Sequence, residues 1–154
     1  MSVTPLPPPD RKQAAAAVLA AKRRLGLRWA ALAEAIGHST EWTTSALLGQ
    51  QPMTREDAEK IGTVLELDGE TVAALTLPPL RGADIVDMTD PVVYRLKEMV
   101  QVYGSTIAEL IYEEFGDGIA SAIDFTFDLK RVEDPKGDRV VITLNGKFLP
   151  YKVW

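Results

Sequence analysis

Residues 116–129 read GDGIASAIDFTFDL, and they mark the point at which the periodicity of the chain changes. Before this stretch, apolar residues recur every three or four positions, as they do on one face of a helix. Within it, Ile123, Phe125, Phe127 and Leu129 alternate with polar residues, which is the pattern of a half-buried strand. The chain is therefore predicted to have an α+β fold, with helices first and a small sheet last.

Two further strands are predicted downstream. The stretch DPKG at residues 134–137 combines turn-forming residues, and residues 139–144 return to an apolar pattern. Asn145-Gly146 is typical of a two-residue hairpin turn, because both residue types tolerate a positive φ. A third strand is therefore expected over residues 147–149.

Two helices are predicted between the domain boundary and the first strand. The Asp-Pro pair at residues 90–91 is a strong start signal, since aspartate accepts an unpaired amide and proline needs no donor there. Gly104 is expected to end this helix, and Ser105 or Thr106 to begin another that closes at Gly116. Two helices and three short strands form a thin core for about 70 residues. This half is therefore expected to complete its core against another copy of itself.

The first half is predicted to be an all-helical bundle of five short helices. Helix starts are expected at Asp10, at Ser39 or Thr40, and at Thr54, whose spacing to Asp57 resembles a capping box. Apolar residues at three-to-four spacing follow these starts and define the expected core. The predicted core positions are Ala14, Ala17, Val18, Ala21, Leu25, Trp29, Leu32, Ala33, Ile36, Ala46, Leu47, Leu48, Ala58, Ile61, Val64, Leu65, Val72, Ala73 and Leu75.

The boundary between the two halves is predicted in TLPPLRGADIVDMTDP, residues 76–91, where proline and glycine break the periodicity. We assign residues 1–82 to the helical domain and residues 83–154 to the second domain. Residues 1–9 have neither the basic nor the apolar segment of an export signal, and their prolines predict an extended, mobile arm. No run of ~18 apolar residues occurs, so we expect no membrane span and a cytoplasmic protein.

Composition and charge exclude several classes of site. The 154 residues carry 17 Lys and Arg against 22 Asp and Glu, and the net charge of -5 argues against a generally basic nucleic-acid binder. The absence of cysteine excludes disulfides, thiolate metal sites and a cysteine nucleophile. His38 is the single histidine, which excludes multi-histidine metal sites and leaves one candidate base for a serine hydrolase.

Part of the first half resembles the helix-turn-helix bundles of phage-type repressors, over residues 27–67, LRWAALAEAIGHSTEWTTSALLGQQPMTREDAEKIGTVLEL. In that geometry, the helix at about residues 40–48 would enter the major groove of DNA. Groove binding needs arginine or lysine, but neither occurs between Trp29 and Thr54. We expect no nucleic-acid partner, and a DNA-binding regulator with an oligomerising C-terminal domain stays as the alternative function.

Three polar residues of the second half are candidates for chemistry on small anions. Arg95 and Glu98 are spaced i, i+3, so they lie on one face of a helix, where an exposed ion pair is the simplest interpretation. Ser121 follows two glycines in GDGIAS, and a hydroxyl-bearing turn beside an arginine could hold a small anion. A serine hydrolase is not favoured, because the only histidine lies in the other domain and no GxSxG elbow is present.

A longer likeness covers nearly the whole chain after the proline arm. It runs back through ALLGQQ, and it includes YRLKEMVQVYGSTIAELIYEEFGDGIASAIDF at residues 94–125 and VITLNGKFLPY at residues 141–151. The QVYG, EEFGDGI and SAI segments stand in register without gaps. These stretches closely resemble cyanase, the bicarbonate-dependent cyanate lyase family, which also has a repressor-like bundle ahead of its catalytic domain.

The resemblance implies a lyase with a catalytic set of Arg95, Glu98 and Ser121. The implied reaction joins bicarbonate to cyanate, and the adduct breaks into carbon dioxide and carbamate, which then falls apart to ammonia and carbon dioxide. Arginine would offset the repulsion between two anions, and the serine hydroxyl could donate to one anion while accepting from the other. Bicarbonate is a co-substrate in this chemistry, and no metal or organic cofactor is implied.

The resemblance also implies an assembly. In the cyanase family the catalytic domain interlocks as a dimer, five dimers form a ring, and the active sites lie between subunits. We therefore expect a homo-oligomer, with ten copies built from five dimers.

Overall fold

The computed structural model describes residues 8–82 and 86–154, and the chain divides into two compact units between residues 83 and 84. Residues 1–7 of the predicted arm and residues 83–85 beside the predicted boundary lie outside the described residues. Helices fill the first unit, whereas the second unit combines a helix with a two-stranded sheet. The predicted α+β class is confirmed.

The first unit is a bundle of five helices, as predicted. Four of them begin at a polar side chain that accepts a hydrogen bond from the amide three positions further on, at Asp10, Ser39, Thr54 and Asp68. Such caps satisfy amides that have no partner within the helix. The helices are α1 (Arg11–Leu25), α2 (Trp29–Ile36), α3 (Thr40–Leu47), α4 (Arg55–Leu65) and α5 (Gly69–Ala74).

Capping boxes form differently from the prediction. At the start of α4, the amide of Asp57 donates to Thr54 Oγ1 at 3.2 Å, but the Asp57 carboxylate contacts Nε2 of His38 at 2.8 Å. Only half of the expected box is therefore present. The Asp57 carboxylate was expected to accept from the amide of Thr54, and it contacts the His38 imidazole instead. A complete box forms at α1 instead, where Asp10 and Gln13 exchange two hydrogen bonds of 2.8 Å.

Apolar side chains from all five helices meet in one core. Most predicted core positions are buried, but Val64 and Ala73 are exposed. The predicted positions that are only partly buried are Ala17, Leu25, Trp29, Leu48 and Val72. Burying a leucine or isoleucine completely stabilises a fold by roughly 1.5–3 kcal/mol relative to exposure. The largest fully buried apolar side chains are those of Leu32, Leu47, Ile61, Leu65 and Leu75.

Arg11 places a cation among these apolar helices. The residue is 8% exposed, and its guanidinium donates to the carbonyl oxygens of Gln51 at 2.7 Å, Ala46 at 2.8 Å and Ala74 at 3.3 Å. Ala46 and Ala74 lie in the last turns of α3 and α5, where the negative end of the helix dipole favours a cation. Desolvation by burial lowers the pKa of Arg11. These bonds tie the start of α1 to the ends of two other helices.

Replacing Arg11 with methionine should lower the free energy of unfolding by about 3 kcal/mol, since two buried carbonyls and one partly buried carbonyl lose a charged donor. Urea unfolding of the full chain, followed by tryptophan fluorescence, measures the loss. The matched control is Arg55→Met, which removes only an exposed ion pair of 3.1 Å to Glu59. That control should cost less than about 1 kcal/mol. Equal losses in the two variants would contradict the role given to Arg11.

The second unit begins with one long helix, α6 (Pro91–Phe115), of 25 residues. Its start agrees with the prediction, because Asp90 caps the first turn and proline follows. The predicted break at Gly104 is wrong, and so is the second helix expected after it. A glycine ends a helix by taking a positive φ, which Gly104 does not do and Gly116, with φ of 90°, does.

The sheet is an antiparallel hairpin of β1 (Gly118–Val132) and β2 (Arg139–Pro150). Its turn lies where the sequence predicts one. The Asp134 carboxylate accepts from the amide of Lys136 at 2.8 Å, and Gly137 takes a φ of 125° that other residues rarely adopt. The polar and glycine residues of this turn therefore set the ends of both strands.

The second turn, predicted at Asn145-Gly146, is wrong, and so is the third strand. Both residues lie inside β2, where Asn145 pairs with Thr126 and Gly146 with Phe125. β1 is 15 residues long, so it offers ladder partners to nearly the whole of β2. Pairing over that length outweighs the local preference of two residues for a turn.

The second unit leaves most of its apolar side chains uncovered. The strand residues expected to need cover, Phe125, Phe127, Val140 and Ile142, are 36%, 38%, 74% and 41% exposed. No residue of α6 is buried. Monomeric proteins rarely expose apolar surface on this scale. The exposed apolar residues of α6 include Val92, Leu96, Met99, Val100, Val102, Tyr103, Ile107, Leu110 and Phe115.

Candidate active site

Arg95 and Glu98 lie one turn apart in the N-terminal part of α6, and both are exposed. The guanidinium carbon of Arg95 is 5.4 Å from the centre of the Tyr94 ring, so the aromatic face lies next to the cation. Within the described ranges, no ion pair joins Arg95 to Glu98, although the spacing allows one. The guanidinium and the carboxylate are therefore not committed to each other in one chain.

Ser121, unlike Arg95 and Glu98, is buried. It is 5% exposed in a unit where most side chains face solvent. Its Oγ accepts hydrogen bonds from the amides of Ile123 and Asp124, both at 3.0 Å. A hydroxyl oxygen has two lone pairs and one proton. Because two amides already donate to this oxygen, the hydroxyl keeps its proton to donate. The expectation that it also accepts from a substrate anion stays a prediction.

An irregularity in β1, a bulge of several residues, creates this environment. Ala120 pairs with Phe148, and the next pair joins Phe125 to Gly146. Residues 121–124 of β1 therefore oppose only Lys147 of β2. The excess residues loop out of the ladder, and the Ser121 hydroxyl supplies an acceptor for two amides that the ladder no longer pairs. Bulges of this kind re-aim a side chain next to a site.

Two glycines flank the bulge, and the sequence analysis missed the role of both. A Cβ atom at Gly118 would clash with the carbonyl of Leu149 and the ring of Phe148, which stacks on Phe115 at 5.1 Å. A Cβ atom at Gly146 would clash with the carbonyl of Ser121. The signal in the sequence was glycine inside a strand pattern, which marks close backbone approach as well as a turn.

Within one chain, Ser121 does not contact Arg95 or Glu98 of α6. Arg95 lies about 30 Å along the helix axis from the C-terminal end of α6. Ser121 lies just beyond that end, near the start of β1. The hydrogen bonds of Ser121 go to its own strand. Across residues 86–154, no hydrogen bond or ion pair links Arg95 or Glu98 to Ser121.

Other chemistry-bearing residues lie apart from this set. His38 contacts Asp57, and its ring lies 4.7 Å from that of Trp42 in the helical unit. No group of three or more His, Asp or Glu residues suited to a metal ion occurs among the described residues. In the same residues, no helix has the length and apolar character to cross a membrane. Helix α3 has no lysine or arginine to place in a DNA groove.

Both units match models of one protein family. Residues 11–79 match the model described as cyanate hydratase, N-terminal, and residues 86–153 match the cyanate lyase C-terminal domain. The chain belongs to the cyanate hydratase family. The resemblance seen in the sequence is therefore confirmed, and the chain is an enzyme.

Relatives match over almost their whole length. The chain is 53% identical to a cyanate hydratase of Ralstonia pickettii, over 94% of this chain and 99% of that protein. It is 51% identical to a cyanate hydratase of Dechloromonas aromatica, over the same shares. A solved structure, cyanase from T. urticae, matches with a TM-score of 0.75 and 37% identity, covering 89% of this chain and 96% of the other. The helical bundle is thus part of the family's architecture.

Replacing Ser121 with alanine should speed hydrogen exchange at the amides of Ile123 and Asp124, because both lose their acceptor. An acceleration of about fivefold corresponds to about 1 kcal/mol for each hydrogen bond. Mass spectrometry of peptides spanning residues 119–126 measures it. Ser105→Ala removes a hydroxyl from α6 and should leave those peptides unchanged. Equal protection in Ser121→Ala and wild type would mean that the hydroxyl does not hold the bulge.

Proposed function

We propose that this enzyme decomposes cyanate with bicarbonate as co-substrate, giving carbon dioxide and carbamate. The observation that carries the proposal is that both family models and the relatives named cyanate hydratase match along nearly the whole chain. Cyanate, bicarbonate and one proton yield one carbon dioxide and one carbamate. Carbamate then takes up one more proton and breaks into ammonia and a second carbon dioxide. The chemistry calls for neither a metal nor an organic cofactor.

The reaction has to bring two anions together. At a separation of ~4 Å, two unit charges repel by about 4 kcal/mol at an effective dielectric constant near 20. Arg95 is exposed and forms no ion pair with Glu98, so its planar set of donors is free to bind carboxylate-like groups. In this proposal, Arg95 supplies the positive charge that offsets this repulsion.

Ser121 contributes a hydrogen-bond donor in this proposal. Two amides already donate to its Oγ, and they polarise the hydroxyl so that its proton becomes a better donor to an anion. No base of the described chain contacts the hydroxyl, so nucleophilic activation has no support here. Glu98 lies one helical turn from Arg95 and would orient the guanidinium or pass the proton that the reaction consumes.

The same geometry supports a site shared between copies. Arg95 and Ser121 lie on separate elements without contact in one chain, and the apolar faces of α6 and the hairpin need cover. We propose an interlocked dimer as the repeating unit and ten copies as the complete ring. Each site would then take its arginine and its serine from different chains. In this proposal the enzyme works in the cytoplasm and binds no nucleic acid.

Ammonia release from cyanate should depend on bicarbonate. In buffer purged of carbon dioxide, release should fall to background, and added bicarbonate should restore it. Arg95→Ala protein is the control and should release ammonia under neither condition. Undiminished turnover in purged buffer would contradict the role of bicarbonate, because hydrolysis by water needs no second anion.

Two inactive variants should restore activity when they share an assembly. Arg95→Ala and Ser121→Ala subunits are mixed in equal amounts, dissociated and allowed to reassemble at random. A site that takes its arginine from one chain and its serine from another is intact in about a quarter of cases, so about a quarter of wild-type activity should return. The same mixture without dissociation stays inactive. No recovery after verified subunit exchange would contradict a site between chains.

A further inference from the structure

Gly146 of β2 lies directly against the backbone of Ser121. Besides the clash with the carbonyl oxygen of Ser121, a Cβ atom at position 146 would lie 3.3 Å from the Ser121 nitrogen and 3.4 Å from the Ala120 Cβ. The clashing atom is backbone, so it cannot rotate away as the end of a long side chain can. Any side chain at position 146 must displace either β2 or the backbone of Ser121.

Backbone conformation gives no reason for glycine at this position. Gly26, Gly37, Gly116 and Gly137 take positive φ values, whereas Gly146 does not. Glycine inside a strand also lowers stability, because it loses more conformational freedom than other residues and packs no side chain. The absence of a side chain is therefore required by the space next to Ser121.

The backbone that Gly146 contacts carries the hydroxyl of the proposed site. Ser121 is the first residue of the bulge, and its Oγ bonds to Ile123 and Asp124 at 3.0 Å. Hydrogen bonds weaken steeply when the donor–acceptor distance and angle leave their narrow range. A shift of the Ser121 backbone would therefore loosen both bonds and move the donor. Misplacing a reacting group by about 1 Å can cost about a hundredfold in rate.

We propose that Gly146 is a positioning residue for the reaction. By carrying no side chain, it lets β2 close against Ser121 and hold the hydroxyl in the direction from which it donates to the substrate anion. This inference rests on the proposed function, in which Ser121 binds an anion. It assigns no contact between Gly146 and the substrate, so its effect on catalysis passes through Ser121.

Gly146→Ala tests this role, and Gly69→Ala is the matched control. Position 69 also lacks a positive φ, and a Cβ atom there would meet nothing within 4 Å. We expect Gly146→Ala to lower kcat/KM for cyanate at saturating bicarbonate by at least about tenfold, and Gly69→Ala to leave it within about twofold. Light scattering should give both variants the size of the wild-type assembly. A Gly146→Ala protein that fails to assemble would overturn the proposal, since the glycine would then serve the fold.

A double-mutant cycle separates positioning from general damage. If Gly146 acts through Ser121, adding Gly146→Ala to a Ser121→Ala protein should change kcat/KM by less than about twofold. The same tenfold loss in both backgrounds would overturn the proposal. Hydrogen exchange gives a readout that does not depend on activity. Gly146→Ala should accelerate exchange at Ile123 and Asp124 as Ser121→Ala does, and Gly69→Ala should not.

The exchange result decides the case where Ser121→Ala has no measurable turnover. Unchanged protection of the two amides in Gly146→Ala would then overturn the proposal. A wild-type protein without bicarbonate-dependent ammonia release would instead refute the proposed function. The exchange experiment would still show whether Gly146 holds the Ser121 hydroxyl.

Discussion

Most apolar side chains of α6 and of the β1–β2 hairpin remain exposed within one chain, and this constraint governs the whole second unit. Complete burial of each such side chain would contribute roughly 1.5–3 kcal/mol, so leaving them in water forgoes much of the free energy that folding needs. An isolated two-stranded hairpin is marginally stable at best. The second unit therefore depends on association for its stability, and in our proposal the same association completes the site.

The helical unit meets the opposite condition. Its five helices close a core from within one chain, four of them have side-chain caps, and Arg11 joins α1 to the ends of α3 and α5. All of these interactions form within one chain, so they do not require a partner subunit. The two units thus obtain their stability from different sources. A substitution in the core of the bundle is expected to act on unfolding, whereas loss of an exposed apolar side chain on α6 or the hairpin is expected to act on assembly.

Helices of the first unit could be predicted because their signals are local. Cap residues and three-to-four spacing predicted the observed ends of α1 and α2 and most of the buried core, although Val64 is exposed. The failures at Gly104 and Asn145-Gly146 have one cause. Glycine was interpreted from its neighbours alone, while the observed structure depends on a helix continuing for 25 residues and on a strand pairing along nearly all of β2. Local preference loses when many hydrogen bonds oppose it.

The site could be predicted only in part, for the same physical reason. Arg95, Glu98 and Ser121 came from a family resemblance, and their catalytic roles stay a prediction. The bulge that surrounds Ser121 depends on which residue of β1 faces which residue of β2, and no signal within GDGIAS encodes that register. The close approach of Gly146 depends on it too.

The two kinds of residue in the proposed site also differ in how they are held. Arg95 is exposed on a helix that is uncovered in one chain, so neighbouring subunits would determine its final position. Ser121 is held by two amides of its own strand and by a glycine across the hairpin before any subunit arrives. In such a site, the Ser121 hydroxyl is already held in place in one chain, and assembly brings the Arg95 guanidinium of another chain to it. In our proposal, the Ser121 hydroxyl alone cannot offset the repulsion between two anions, so the free subunit lacks the arginine charge that a neighbouring chain would place beside its own serine.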